Sequence, residues 1–220
     1  MDPPRTSPSA RAPVTMALAG SVWAAFLLPP QVVTWDGDAA PGWARRLEGA
    51  ESFDLIRAAG AAAGIRDHYV LFGLLIAPSF ILIGVPLLRA SQAVGRSTAV
   101  LAWSTLLGAP ASLMSYGGVG LGDPWDLFWG AEIPLLLAVC VCGAVAGVLA
   151  YRRHRVPVWW AALLAATPVV IVAGTAVFSY FPHGSLVGYG VEVAALAVGV
   201  RSATVSTGEP ASSHGVAGSR

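Results

Sequence analysis

The sequence predicts an all-α, polytopic integral membrane helical bundle with six transmembrane helices, or five if the last segment is re-entrant. Three observations predict it. Hydrophobic residues make up 55% of the chain and charged residues 11%, against roughly 45 to 50% and 25% for ordinary soluble domains. The apolar residues gather into runs of about 16 to 24, enough to cross a hydrocarbon core of roughly 30 Å at about 1.5 Å per residue. Between two of these runs lies Tyr151, Arg152, Arg153, His154, Arg155, three arginines without an acid. A short loop of that kind belongs on the cytoplasmic side, and this orients every other span.

Residues 1–13 are rich in Pro, Ser and Arg without apolar periodicity, and are expected to form a disordered cytoplasmic tail. Val14 to Val33 is the first span, running inside to outside. A cleaved signal peptide is the alternative, but the stretch is longer than a signal h-region, carries Pro29 and Pro30, and lacks a good small-residue cleavage site.

Residues 34–67 form the one long outer loop, with Asp36, Asp38, Glu48, Glu51, Asp54 and Asp67 set against Arg45, Arg46, Arg57 and Arg66. Two short surface helices are expected in it. One runs from Pro41 to near Gly49; the other is capped by Ser52 and runs from Phe53 toward Gly64. The second span, residues 68–88, is bent by Pro78 and Pro86 and returns to Arg89 and Arg96, a basic loop that agrees with the cytoplasmic assignment.

The third span, residues 97–116, puts Ser104, Gly108, Ser112 and Ser115 on one small, weakly polar side suited to helix contact. Gly117 to Pro124 then reads as a glycine-rich outer loop. Asp123 before Pro124 is a helix-start signal, because the carboxylate can cap free amides and proline fits the first helical position. Trp125, Phe128 and Trp129 follow as an aromatic belt at the outer interface. The fourth span, residues 130–150, presents Gly143 and Gly147 for close helix packing. Cys140 and Cys142, the only cysteines, lie two apart on it, point to different sides, and read as small packing residues.

The fifth span, residues 157–180, has Trp159 and Trp160 at the inner interface and Pro168 near its middle. Phe181 to Gly184 makes a tight outer turn. Residues 185–200 are the sixth and weakest span, short and interrupted by Glu192, and residues 202–220 are expected to form a second disordered cytoplasmic tail. Six spans put both termini in the cytoplasm, in a multi-pass protein of the cell membrane. No internal repeat is evident.

Composition also excludes functions. A formal net charge of +1 removes the case for nucleic acid. The basic residues, 13 in all, are Arg, so there is no lysine for a Schiff base or a phosphate loop. No elbow motif positions a nucleophilic serine, and no cofactor is identified. Heavy use of Ala, Gly, Pro and Arg points to a GC-rich, bacterial source.

Three candidate sites remain. Glu192 lies about eight residues, roughly 12 Å, below the outer turn, where a charge is costly. Gly184, Gly188, Ala195 and Gly199 share its side, so it faces a neighbouring helix or a cavity. Its functional reading is a proton or cation relay with Tyr189 one turn away. Its structural reading is a carboxyl bonded to Thr167 or Thr175. A weaker set, His68 and His183 with Asp67 and Asp123, has the donor chemistry for zinc or copper but no chelating spacing. The glycine faces and the long loop support the leading expectation, an accessory or scaffold subunit acting on a membrane-protein partner or on itself. A proton-coupled or ion-translocating transporter using Glu192 and an outer-face metal-binding protein are the alternatives.

Overall fold

The computed structural model describes residues 11–153 and 156–206, and every regular element among them is helical. The tail expected over residues 1–13 and the one over 202–220 fall mostly outside the described residues, as do His154 and Arg155 of the arginine loop. Four helices are long and apolar enough to cross a membrane, Ala12–Ala39, His68–Val94, Arg96–Leu121 and Trp125–Arg152, with a fifth if a bent pair is one span.

Helix α1 (Ala12–Asp36) takes in the last two residues of the expected N-terminal tail and holds Pro29 and Pro30 inside it. It stops at Gly37, whose φ of 53° is a left-handed conformation that glycine adopts without cost. The long loop carries α2 (Gly42–Glu48), bounded by Pro41 and Gly49 as expected, and α3 (Glu51–Ala62). Helix α3 starts before Ser52, with Ala50 at the N-cap and no side-chain cap bond. It is held by Phe53, whose ring lies 4.8 Å from Phe26 and 5.8 Å from Phe72, and by Arg57, which ion-pairs with Glu48 and Asp54.

The second span is two helices, α4 (His68–Leu74) and α5 (Ala77–Val94). The break falls just before Pro78, which has no N–H to continue the ladder. The Trp23 indole donates to the Leu75 carbonyl at 2.7 Å, supplying a side-chain donor at the break.

Two expectations fail around the glycine-rich stretch. Helix α6 (Arg96–Leu121) runs through Gly117 to Leu121, which were read as loop. It can do so because no proline intervenes before Pro124, and Gly118 lets the helix pass against the backbone of Trp125. Nor do Asp123 and Pro124 start the next helix. A 3-10 turn, Trp125–Phe128, comes first, and α7 (Glu132–Arg152) begins only after Gly130 at φ 79°, without a side-chain cap. The Gly130 amide donates to Ser115 Oγ at 2.8 Å, tying this turn to α6.

The fifth expected span is two helices, α8 (Val158–Ala165) and α9 (Thr167–Phe178), bent by 51° with the break at Ala166, two residues before Pro168. The weakest expected span proves to be α10 (His183–Ser206), 24 residues that begin inside the expected outer turn and continue past Arg201. It packs against α1, α5, α8 and α9. Glycine permits this crowding. A methyl group on Gly190 would meet Ser21 Cβ at 2.7 Å, and one on Gly184 would meet the Gly174 carbonyl oxygen at 2.7 Å. Neighbours also donate into its backbone: Ser21 Oγ to the Val187 carbonyl at 2.6 Å, and Trp160 Nε1 to the Leu196 carbonyl at 2.9 Å.

Candidate functional site

Helix α10 carries a line of polar side chains, each matched by a hydroxyl from a different surrounding position. Ser185 Oγ lies 2.7 Å from Thr175 Oγ1 on α9. One turn on, Tyr189 OH lies 2.9 Å from Thr105 Oγ1 on α6. Thr105 Oγ1 also donates to the Leu101 carbonyl at 2.9 Å, so the tyrosine hydroxyl is left as donor to the threonine. Below it, Thr167 Oγ1 donates to Glu192 Oε1 at 2.6 Å. Glu192 is 3% exposed, and its second oxygen, Oε2, is buried with no hydrogen-bond partner among the described residues.

Thr167 occupies a particular place. It sits at the bend between α8 and α9, and Pro168 has no N–H to offer the Leu164 carbonyl four residues earlier. The Thr167 hydroxyl reaches that carbonyl at 2.8 Å. One hydroxyl therefore stands between two acceptors, Leu164 O and Glu192 Oε1. Gly143 of α7 makes room for it, since a Cβ there would lie 2.6 Å from Thr167 Oγ1.

A second polar cluster occupies the end of the bundle that carries the Trp125–Phe128 turn. A cavity of about 220 Å³ opens there among Trp35, Tyr69, Tyr116, Trp129, Glu132 and Tyr180, from five different parts of the chain. Trp35 stacks on Tyr69 at 5.8 Å and on Trp129 at 6.3 Å, and Tyr69 meets Tyr116 edge-on at 5.2 Å. Trp129 Nε1 donates to Tyr69 OH at 3.1 Å, and the hydroxyls of Tyr116 and Tyr180 lie 3.4 Å apart. Glu132 is 5% exposed, and its Oε2 is buried without a partner.

The residues nominated from the sequence separate accordingly. Glu192 and Tyr189 lie on one helix, but Tyr189 bonds to Thr105 and the carboxyl bonds to Thr167. Of the metal set, Asp67 caps α4, accepting from the amides of Tyr69 at 2.8 Å and Val70 at 3.3 Å. His68 and Asp123 are exposed, whereas His183 is fully buried with its ring edge-on to Tyr180 at 5.3 Å. Among the described residues, no three His, Cys, Asp or Glu side chains are grouped to hold a metal ion. Gly143 and Gly147 face α8 and α9, and Gly184 and Gly188 face α9, so these small-residue faces are filled by the chain's own helices.

Arg89, Arg96, Arg152 and Arg153 are exposed, and Arg96 and Arg153 border one cavity of about 490 Å³. Sequence reasoning missed the aromatic cavity. Its signal was present in the boundaries: Trp35, Tyr69, Tyr116, Trp129 and Tyr180 all fall at the same expected level, at or next to an end of a span. No protein-family model, curated protein or solved structure matches the chain.

Proposed function

We propose that this is a multi-pass protein of the cell membrane with six crossing segments and both termini cytoplasmic, and that it translocates protons or cations through Glu192. The topology rests on the positive-inside rule applied to Arg89, Arg96, Arg152 and Arg153. The activity rests on one observation: the Glu192 carboxyl is buried on the central helix with one oxygen unpartnered. Such a group is costly to keep, and an acid at that depth is a functional candidate by default.

The hydrogen bonds around it support a proton-carrying role. The single Thr167 hydrogen serves only one of its two acceptors at a time, Leu164 O or Glu192 Oε1. A proton on the carboxyl reverses the upper bond, so that the carboxyl donates to Thr167 and Thr167 donates to Leu164. Loading and unloading Glu192 therefore exchanges two hydrogen-bond patterns with little movement of heavy atoms. Tyr189–Thr105 and Ser185–Thr175 are two further hydroxyl pairs along the same helix toward the aromatic end, each separate from the Thr167–Glu192 bond.

The test uses the full-length protein in proteoliposomes holding a pH-sensitive dye, with an imposed membrane potential, alongside infrared difference spectra between acidic and neutral buffer. The native protein is expected to conduct protons and to show a titrating carboxyl band that disappears in Glu192→Gln. Equal flux in the two proteins, or a spectrum unchanged by the substitution, would remove Glu192 from the mechanism.

The accessory-subunit reading keeps one specific support, the exposed α2–α3 segment. Leu47 and Leu55 are 55% and 72% exposed there, on helices outside the apolar spans. A partner held through this segment is expected to dissociate in Leu55→Glu; intact-complex mass spectrometry from native membranes reads the outcome.

A further inference from the structure

The cavity at the aromatic end calls for a different chemistry from a proton site. Trp35 and Trp129, each about half exposed, form its rim, and Tyr116 and Tyr180, 1% and 5% exposed, lie deep in it. The lining contains one ionisable acid, Glu132, and no basic residue. Glu132 is buried from solvent, and its Oε2 has no hydrogen-bond partner, although Ser115 lies beside the carboxyl. Aromatic faces carry negative electrostatic potential, and several of them around one carboxyl form an environment that attracts a cation while offering it little water.

The size narrows the ligand. Drug-sized molecules occupy pockets of roughly 300 to 1,000 Å³, and a space of about 220 Å³ accommodates something smaller. A bare metal ion does not fit the lining, because one carboxylate and phenol or indole rings give too few hard donors. A methylated ammonium fits it: its charge is spread over an apolar surface that the rings cover, and it needs few directed hydrogen bonds.

We propose that the Trp35, Tyr69, Tyr116, Trp129, Glu132 and Tyr180 cavity binds a small alkylated ammonium group, carried either by a free solute or by a lipid headgroup. The rings hold the methyl groups, and Glu132 neutralises the charge from below. This goes beyond proton transfer at Glu192 and does not depend on it.

Isothermal titration of choline into the full-length protein, held in nanodiscs of phosphatidylglycerol alone, tests the site. Saturable binding is expected. The uncharged isostere 3,3-dimethyl-1-butanol is expected to bind at least about tenfold more weakly, and Glu132→Gln and Trp129→Ala are expected to lose about tenfold for choline. The isostere comparison uses native protein, so it holds even if a variant folds poorly. Repeating the titration in phosphatidylcholine nanodiscs separates the sources: lost choline binding identifies the headgroup as occupant, and retained binding identifies a free solute. Absence of saturable binding by both choline and tetramethylammonium in phosphatidylglycerol, or equal binding of the uncharged isostere, overturns the proposal.

Discussion

Glu132 and Glu192 are both buried acids with one unpartnered oxygen, yet their surroundings differ in kind. Glu192 is enclosed by helices, and its one side-chain partner is a threonine hydroxyl that also faces a carbonyl. Glu132 lines a cavity whose walls are mostly rings, with Gly130, Ile133 and Ser179 between them. A site packed to contact leaves room for a proton and little else, whereas a cavity of about 220 Å³ leaves room for a polyatomic ligand. Carboxyl chemistry is the same in both places, so the space around the group decides what it can serve.

The sharpest way to break that distinction is to remove each acid in turn. Glu192→Gln is expected to lower proton flux by about a hundredfold or more, in the range that loss of a positioned proton carrier produces. Glu132→Gln should leave flux within about twofold and weaken only ammonium binding. Equal loss of flux in both would place the two acids on one path. Next in size is a packing test: Gly190→Leu forces a side chain into Ser21 and is expected to cost about 1 to 3 kcal/mol in thermal or denaturant unfolding. Both acids' functions should fall with it, since α10 sets the geometry of the whole bundle.

Finer changes sharpen the picture around Glu192. Thr167→Val removes the shared hydroxyl while keeping the side chain's shape, and is expected to cost about 1 kcal/mol in stability and to shift the infrared band of Glu192. Tyr189→Phe, which takes away a single bond to Thr105, should cost about 0.6 kcal/mol, with the Glu192 band unmoved. The most local effect is expected at Asp67→Ala, where loss of an exposed cap worth about 0.5 kcal/mol should speed amide exchange at Tyr69 and Val70 only.

Much of the helical layout was legible because apolar runs and prolines act locally. Pro78 and Pro168 mark the breaks in the second and fifth spans, and Pro41 with Gly49 brackets α2. What stayed hidden depends on neighbours. Helix α10 looked weak because its apolar run is short and holds Glu192, yet Gly184, Gly188, Gly190 and Gly199 let other helices pack closely on it. By contrast the most apolar 18-residue window of Trp125–Arg152 has a mean hydropathy of 2.6 and is only 33% buried, so strong hydropathy there marks an exposed helix. The start signal at Asp123 and Pro124 was real chemistry overridden by position, because α6 runs to Leu121 and Gly130 resets the chain direction. The expected partners of Glu192 were Thr167 or Thr175; Thr167 meets the carboxyl, and Thr175 meets Ser185 instead. The aromatic cavity was legible only as a shared level of Trp35, Tyr69, Tyr116, Trp129 and Tyr180 at span ends, because these residues come from five parts of the chain and the linear order does not say which of them converge.

The bend at Thr167 has a mechanical consequence. A helix broken at proline is a joint, and its stiffness depends on what holds the carbonyls that proline leaves behind. Here the clasp on that joint is the same hydroxyl that touches Glu192. If Glu192 carries a proton as proposed, charging the acid would compete for the clasp and loosen the joint, and protonating it would return the clasp to Leu164. On the proposed role of Glu192, loading the carboxyl would change how firmly the 51° bend between α8 and α9 is held and leave the positions of its atoms nearly unchanged.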